Sequence, residues 1–164
     1  MPSQSFEFER VTRVTAGAVG TPGKRSFFLQ VRAGTQLVSL AMEKQQLQLL
    51  ADRLQQLLST VSVPEGALIG DLALEEPLHE AWRIGSMTLA YDEADRLFEV
   101  TLVELTAEGD EPATGRFLAE AGQMQALAQH AIAVVAAGRP PCPMCGGPSD
   151  HNGGICPRLN GHHA

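Results

Sequence analysis

The chain predicts an α+β fold, an antiparallel sheet of two hairpin-plus-helix units with a C-terminal zinc-knuckle-like appendage. Three features carry this expectation. Runs of period-two hydrophobicity alternate with two runs of helical period. The two helical runs open with matching residues, and all three cysteines stand together at the C-terminal end. At 164 residues and 44% hydrophobic content, the chain can bury one core over residues 1–138 and carry a tail at 139–164.

Phe6-Glu-Phe-Glu-Arg-Val11-Thr-Arg-Val14-Thr15 alternates closely enough for a strand, with a second short one through Ala18-Val19. Gly17–Arg25 then breaks the pattern. Pro22-Gly23 supplies the fixed negative φ and the permitted positive φ of a type II turn. Phe27–Arg32 and Leu37–Met42 read as a hairpin across Ala33-Gly34-Thr35-Gln36. Leu47, Leu50, Leu54 and Leu57 place one apolar face on a helix over 43–58.

Residues 61–81 carry Pro64, Gly66, Gly70 and Pro77 and read as an acidic loop, with a short turn of structure around Leu68–Leu74. Trp82–Tyr91 and Leu97–Leu105 form a second strand pair across Asp92–Arg96. Thr114–Leu118 is a last strand, and Met124–Val135 a second helix. Gly138 and Pro140-Pro141 end it, since glycine suits the left-handed position after a helix and proline cannot continue one.

Leu40–Ala51 and Phe117–Ala128 share a strand end, a Glu and then Gln-(Leu/Met)-Gln-x-Leu-Ala, in the same order of elements. That order suggests an internal duplication, with two helices covering one face of the sheet.

The net charge of −7 is uneven: +3 over residues 1–42, −5 over 61–82 and −6 over 83–112. An acidic middle repels a phosphate backbone, so nucleic-acid contact is confined to the N-terminal third and the tail. No run reaches the roughly 18 apolar residues of a membrane span, and the start lacks a signal-peptide layout. The expectation is a soluble, cytoplasmic protein without membrane contact.

Cys142 and Cys145 are spaced C-x-x-C on a Pro/Gly-rich turn, and Cys156 returns from a short hairpin. Thiolates so spaced can share one tetrahedral zinc ion. His162 is the expected fourth ligand, with His151 as the alternative and Asp150 and His163 behind them. Structural zinc supplies roughly 10–16 kcal/mol of apparent binding energy in finger peptides, enough to order a tail too short to fold alone. A closed shell is structural. Neither H-E-x-x-H nor a His-x-Glu partner to the Pro-Cys-x-x-Cys is present for metalloprotease or deaminase chemistry.

Gly20, Gly23, Lys24 and Arg25 are candidate ligands for a phosphorylated or nucleotide group, through glycine amides and two cations. The loop departs from a P-loop, because Arg25 stands where Ser or Thr would bind magnesium and a strand follows. A tight turn with solvated basic tips is the simpler reading. His79 and His130 have no nucleophile at a recognisable spacing, and Trp82 and Tyr91 read as core or edge residues.

Ala16-Gly-Ala-Val-Gly-Thr-Pro-Gly-Lys-Arg-Ser-Phe-Phe-Leu-Gln30, the Leu-x-x-Glu-Lys-Gln-Gln helix start, Val134-Val-Ala-Ala-Gly-Arg-Pro-Pro-Cys-Pro-x-Cys-Gly and Ile-Cys-Pro-Arg-x-Asn-Gly resemble a family of uncharacterised, mainly actinobacterial proteins. The likeness spans nearly the whole chain. It implies a cytosolic bacterial protein of this length and brings no activity. The family's tail has a histidine two residues before the third cysteine, where this sequence has Gly154, so the fourth ligand stays open.

The functional expectation is a non-enzymatic zinc-binding domain that meets an unknown protein partner through its tail and the Gly17–Arg25 loop. Two alternatives are a nucleic-acid-binding zinc knuckle using Arg139 and Arg158, and an enzyme holding a phosphorylated ligand at that loop.

Overall fold

The computed structural model describes residues 3–21, 23–63 and 70–137. Seven strands and two helices follow in the order β1 (Phe6–Phe8), β2 (Arg13–Val19), β3 (Ser26–Ala33), β4 (Gln36–Met42), α1 (Lys44–Leu58), β5 (Glu80–Asp92), β6 (Leu97–Glu104), β7 (Thr114–Glu120) and α2 (Ala121–Ala137). The α+β expectation holds, and the hairpins fall where hydrophobic alternation places them.

The sheet is mixed, which corrects the expectation of antiparallel pairing throughout. Its order is β1-β7-β6-β5-β4-β3-β2, with β4 parallel to β5 and β1 parallel to β7. Alternation identifies strands and local hairpins, whereas a parallel neighbour arrives by a long crossover. Here α1 and the loop after it carry the chain back to the start of β5, beside β4.

β1 and β2 stand at opposite ends of that order, yet only residues 9–12 separate them. In a flat sheet six steps of about 4.8 Å would set them about 29 Å apart. The chain from Phe8 to Arg13 reaches at most about 18 Å. The sheet therefore curls until its ends meet. At the seam Val11 N–H donates to Leu118 O (3.0 Å) and Thr12 N–H to Arg32 O (2.8 Å), joining β7 to β3. The break at residues 9–12 is why the first strand is in two pieces.

Two units result, β2-β3-β4-α1 and β5-β6-β7-α2, each an antiparallel meander followed by a helix. Each has one strand more than the expected hairpin. Their helix starts share the same pair of glutamine hydrogen bonds. Glu43 N–H donates to Gln46 Oε1 (2.7 Å) while Gln46 Nε2 donates to Ile84 O (3.0 Å). In the second unit Glu120 N–H donates to Gln123 Oε1 (2.9 Å) and Gln123 Nε2 to Val11 O (3.1 Å). Each glutamine satisfies an orphan donor at the helix entry and hooks a distant segment, β5 for Gln46 and the break between β1 and β2 for Gln123. That cap explains why α2 begins at Ala121 rather than Met124.

The core lies inside the curled sheet. Leu29, Leu40, Phe98, Leu102 and Phe117 are fully buried there with Leu47 and Leu54 of α1 and Met124 and Leu127 of α2. Trp82, 3% exposed, belongs to this core, and its Nε1 donates to Gln4 O (2.9 Å). Two glycines admit covering side chains. A Cβ at Gly17 would fall 2.6 Å from the Leu74 side chain, and one at Gly115 would fall 2.4 Å from the Phe6 ring.

Candidate functional site

The loop between β2 and β3 is a tight turn. Lys24 N–H donates to Thr21 O (2.9 Å) and Gly23 has φ +86°, as a type II turn demands at its third residue. Gly20, at φ +111°, packs so closely on Lys24 O that a Cβ would sit 2.7 Å from it. Pro22 lies outside the described residues. The glycines therefore serve backbone geometry.

The two basic residues part company. Lys24 is exposed, and its side chain has no hydrogen bond or ion pair among the described residues. Arg25 reaches across to the end of α2, donating from Nη1 to Val134 O (2.9 Å) and from Nη2 to Val135 O (3.4 Å). Its guanidinium lies 4.7 Å from the Phe27 ring centroid. Helix C-termini carry orphan carbonyls and partial negative charge. Helix α2 has no basic residue in its last turn, so Arg25 supplies that cation from the loop. This corrects the picture of both tips as solvated, and it removes Arg25 from an unoccupied set of anion ligands.

The surface beside this clasp is apolar. The last turns of α2, Ile132-Ala-Val-Val-Ala-Ala137, carry no charge, and Ile132 is 43% exposed. Val19, next to the loop, is 49% exposed. A groove of about 320 Å³ runs between Gln48, Ala51 and Asp52 of α1 and Ile132, Val135 and Ala136 of α2. The clasp thus joins the glycine loop to the last described residues before the cysteine segment.

Cys142, Cys145, Cys156, His151 and His162 lie outside the described residues. Among the described residues no group of three or more His, Cys, Asp or Glu could hold a metal ion. His79 is exposed and His130 half-buried on α2. Asp92 accepts from Ala94 N–H (2.9 Å) and Asp95 N–H (3.3 Å), so the Asp92–Asp95 cluster is a hairpin turn.

A second constellation was hidden in the strands. Residues 71–77 form a strap across the outer face of the first unit, whose outward residues there are polar yet buried. Gln30, 1% exposed, donates to Ser39 Oγ (3.1 Å) and Glu75 O (3.0 Å) and accepts from Glu75 N–H (2.7 Å). Thr15 Oγ1 donates to Leu72 O, while Arg13 donates to the carbonyls of Asp71 and Ala73. Arg32 pairs with both carboxylate oxygens of Glu75 (2.9 Å each), and Arg13 adds a 3.4 Å contact. The Arg32 guanidinium, with Arg13 behind it, holds the Glu75 carboxyl below the usual carboxylate range. Glu104 is lowered likewise by the Ser3 hydroxyl and then by Ala113 N–H. The sequence signal was a polar residue at each of two places, Gln30 and Ser39, within otherwise apolar runs.

Such contacts occupy four of the five basic residues of the N-terminal third, Lys24 excepted. Arg10 faces Glu120, Arg13 and Arg32 face Glu75, and Arg25 holds α2. No described helix is long and apolar enough to cross a membrane.

The chain belongs to the family described as Protein of unknown function (DUF3090), whose model matches residues 6–156. No curated protein and no solved structure matches it.

Proposed function

We propose that this member of the family is a zinc-binding domain that acts through protein contacts rather than catalysis. One zinc ion is held by Cys142, Cys145, Cys156 and His162, with His151 as the alternative fourth ligand. Three thiolates and one imidazole are a donor set that zinc accepts in closed, tetrahedral structural sites. The bound ion orders the segment and presents it to a partner in the cytoplasm.

The observation that best supports this reading is the surface at the root of that segment. Arg25 clasps the end of α2, and next to it lie the uncharged turn at Ile132–Ala137 and the α1–α2 groove. Contiguous exposed apolar surface rimmed by polar residues is a mark of interaction sites. The intramolecular pairing of Arg10, Arg13, Arg25 and Arg32 weakens the nucleic-acid reading and the phosphate reading in favour of this one.

Limited proteolysis and affinity capture test it together. The zinc-loaded chain is expected to resist cleavage beyond residue 138 and to retain a partner, and Cys142→Ser with Cys145→Ser is expected to lose both. Equal resistance and equal capture in that variant would reject the proposal. Salt-sensitive retention on single-stranded RNA would favour a nucleic-acid knuckle instead.

A further inference from the structure

We propose that two copies of this chain pair through the outer edge of β5, antiparallel about a two-fold axis at Leu89. Strand β4 accompanies β5 only as far as Arg83. Gln46 covers the carbonyls of Ile84 and Gly85. Beyond them β5 continues to Asp92 with β6 on one side only.

The bonding pattern shows which groups are open. Glu104 N–H is committed to Ala113 O on the β7 side, and Leu105 N–H to Arg83 O. Alternation along an antiparallel pair then turns the N–H and C=O of Met87, Leu89 and Tyr91 away from β6. None of these six groups has a hydrogen-bond partner among the described residues. Unpaired strand edges recruit another strand unless Lys, Pro or an inward charge blocks them. From Ile84 to Tyr91 there is no such residue, in a chain that is 19% charged. The corresponding strand of the first unit, β2, has α2 packed against it.

The edge suits a second copy of itself. Centring the pair on Leu89 matches the three open residues with one another, Met87 with Tyr91 and Leu89 with Leu89, so all six groups are used. The half-buried Met87, Leu89 and Tyr91 then meet on one face, where sulfur–aromatic contact is favourable. On the other face Thr88 lies opposite Ala90. Continued in the same register, Asp95 of the acidic hairpin tip comes level with Arg83 of the other copy, whose guanidinium pairs with Glu43 of its own chain (2.7 Å). A parallel pairing would instead stack two acidic tips.

Sedimentation equilibrium of the full chain, in a concentration series to about 100 µM, tests the pairing. The expected mass is twice 17.5 kDa. Leu89→Pro removes an N–H that β6 does not use, and is expected to give a monomer. Thr88→Glu with Ala90→Glu sets like charges across the pair at two exposed positions, and is expected to weaken it at least about tenfold. Thr88→Glu with Ala90→Lys is expected to restore it. A monomer mass across the series would overturn the proposal. So would folded Glu variants, checked by circular dichroism, that keep the wild-type mass, or a Lys variant that fails to recover it.

Discussion

The two halves of this molecule are built alike and finished differently. Both enter their helix through a Glu whose N–H is bound by the Gln three residues on, and both use that Gln to hook the other half. In the first half α2 packs against β2, the hairpin tip is basic and grips that helix, and a strap seals the outer face. In the second half the edge of β5 beyond Arg83 has no strand partner among the described residues, and the tip is acidic. Their helices also lead to different things, α1 into the strap and α2 into the cysteine segment. The shared frame is the scaffold, and the differences are where the proposed contacts fall.

The largest expected effect tests the shared frame. Leu50 and Leu127 occupy matching positions and are 2% and 1% exposed. Each changed to Ala is expected to cost about 2–5 kcal/mol, because the closed core leaves little room for collapse. Chemical denaturation checks this, and a cost confined to one half would break the equivalence.

The strap distinguishes the halves. Gln30→Leu strands the Ser39 hydroxyl and both Glu75 backbone groups, for an expected loss of about 1–3 kcal/mol. Glu75 adds a pH dependence. Its folded pKa lies below its unfolded value, so its stabilisation is complete above the ordinary Glu range near about 4.3. It is lost as pH falls through the lower folded value. Protease cleavage within 70–77 should therefore rise on acidification below that range, and Glu75→Gln should show the same cleavage at neutral pH.

The helix hooks are a smaller and symmetric effect. Gln46→Ala and Gln123→Ala are each expected to cost about 1 kcal/mol in thermal or chemical unfolding. A markedly larger cost for Gln123 would show that the seam at Val11 closes the sheet more tightly than the β4–β5 joint does.

Much of this frame was legible in the residues. Period-two runs locate the hairpins, the leucine spacing locates α1, and the Glu-to-Gln match points to two units. The curl of the sheet was not legible, because it depends on β1 meeting β7, a strand at the far end of the described chain. Local alternation carries no information about such partners. The role of Arg25 is illegible for a similar reason: a basic residue at a glycine turn reads as solvated, and the helix end it binds is distant in the chain. Gln30 and Ser39 were visible as polar interruptions, but only the strap reveals what they bind. For the candidate site, the sequence supplied the cysteine spacing and the turn, and the fold supplied the apolar surface at the root of α2.

Zinc content of the purified full chain tests the functional claim most directly. One ion per chain is expected, lost on Cys142→Ser and reduced on either His162→Ala or His151→Ala, whichever is the fourth ligand. A folded chain that carries no zinc and takes up none when it is supplied would contradict it.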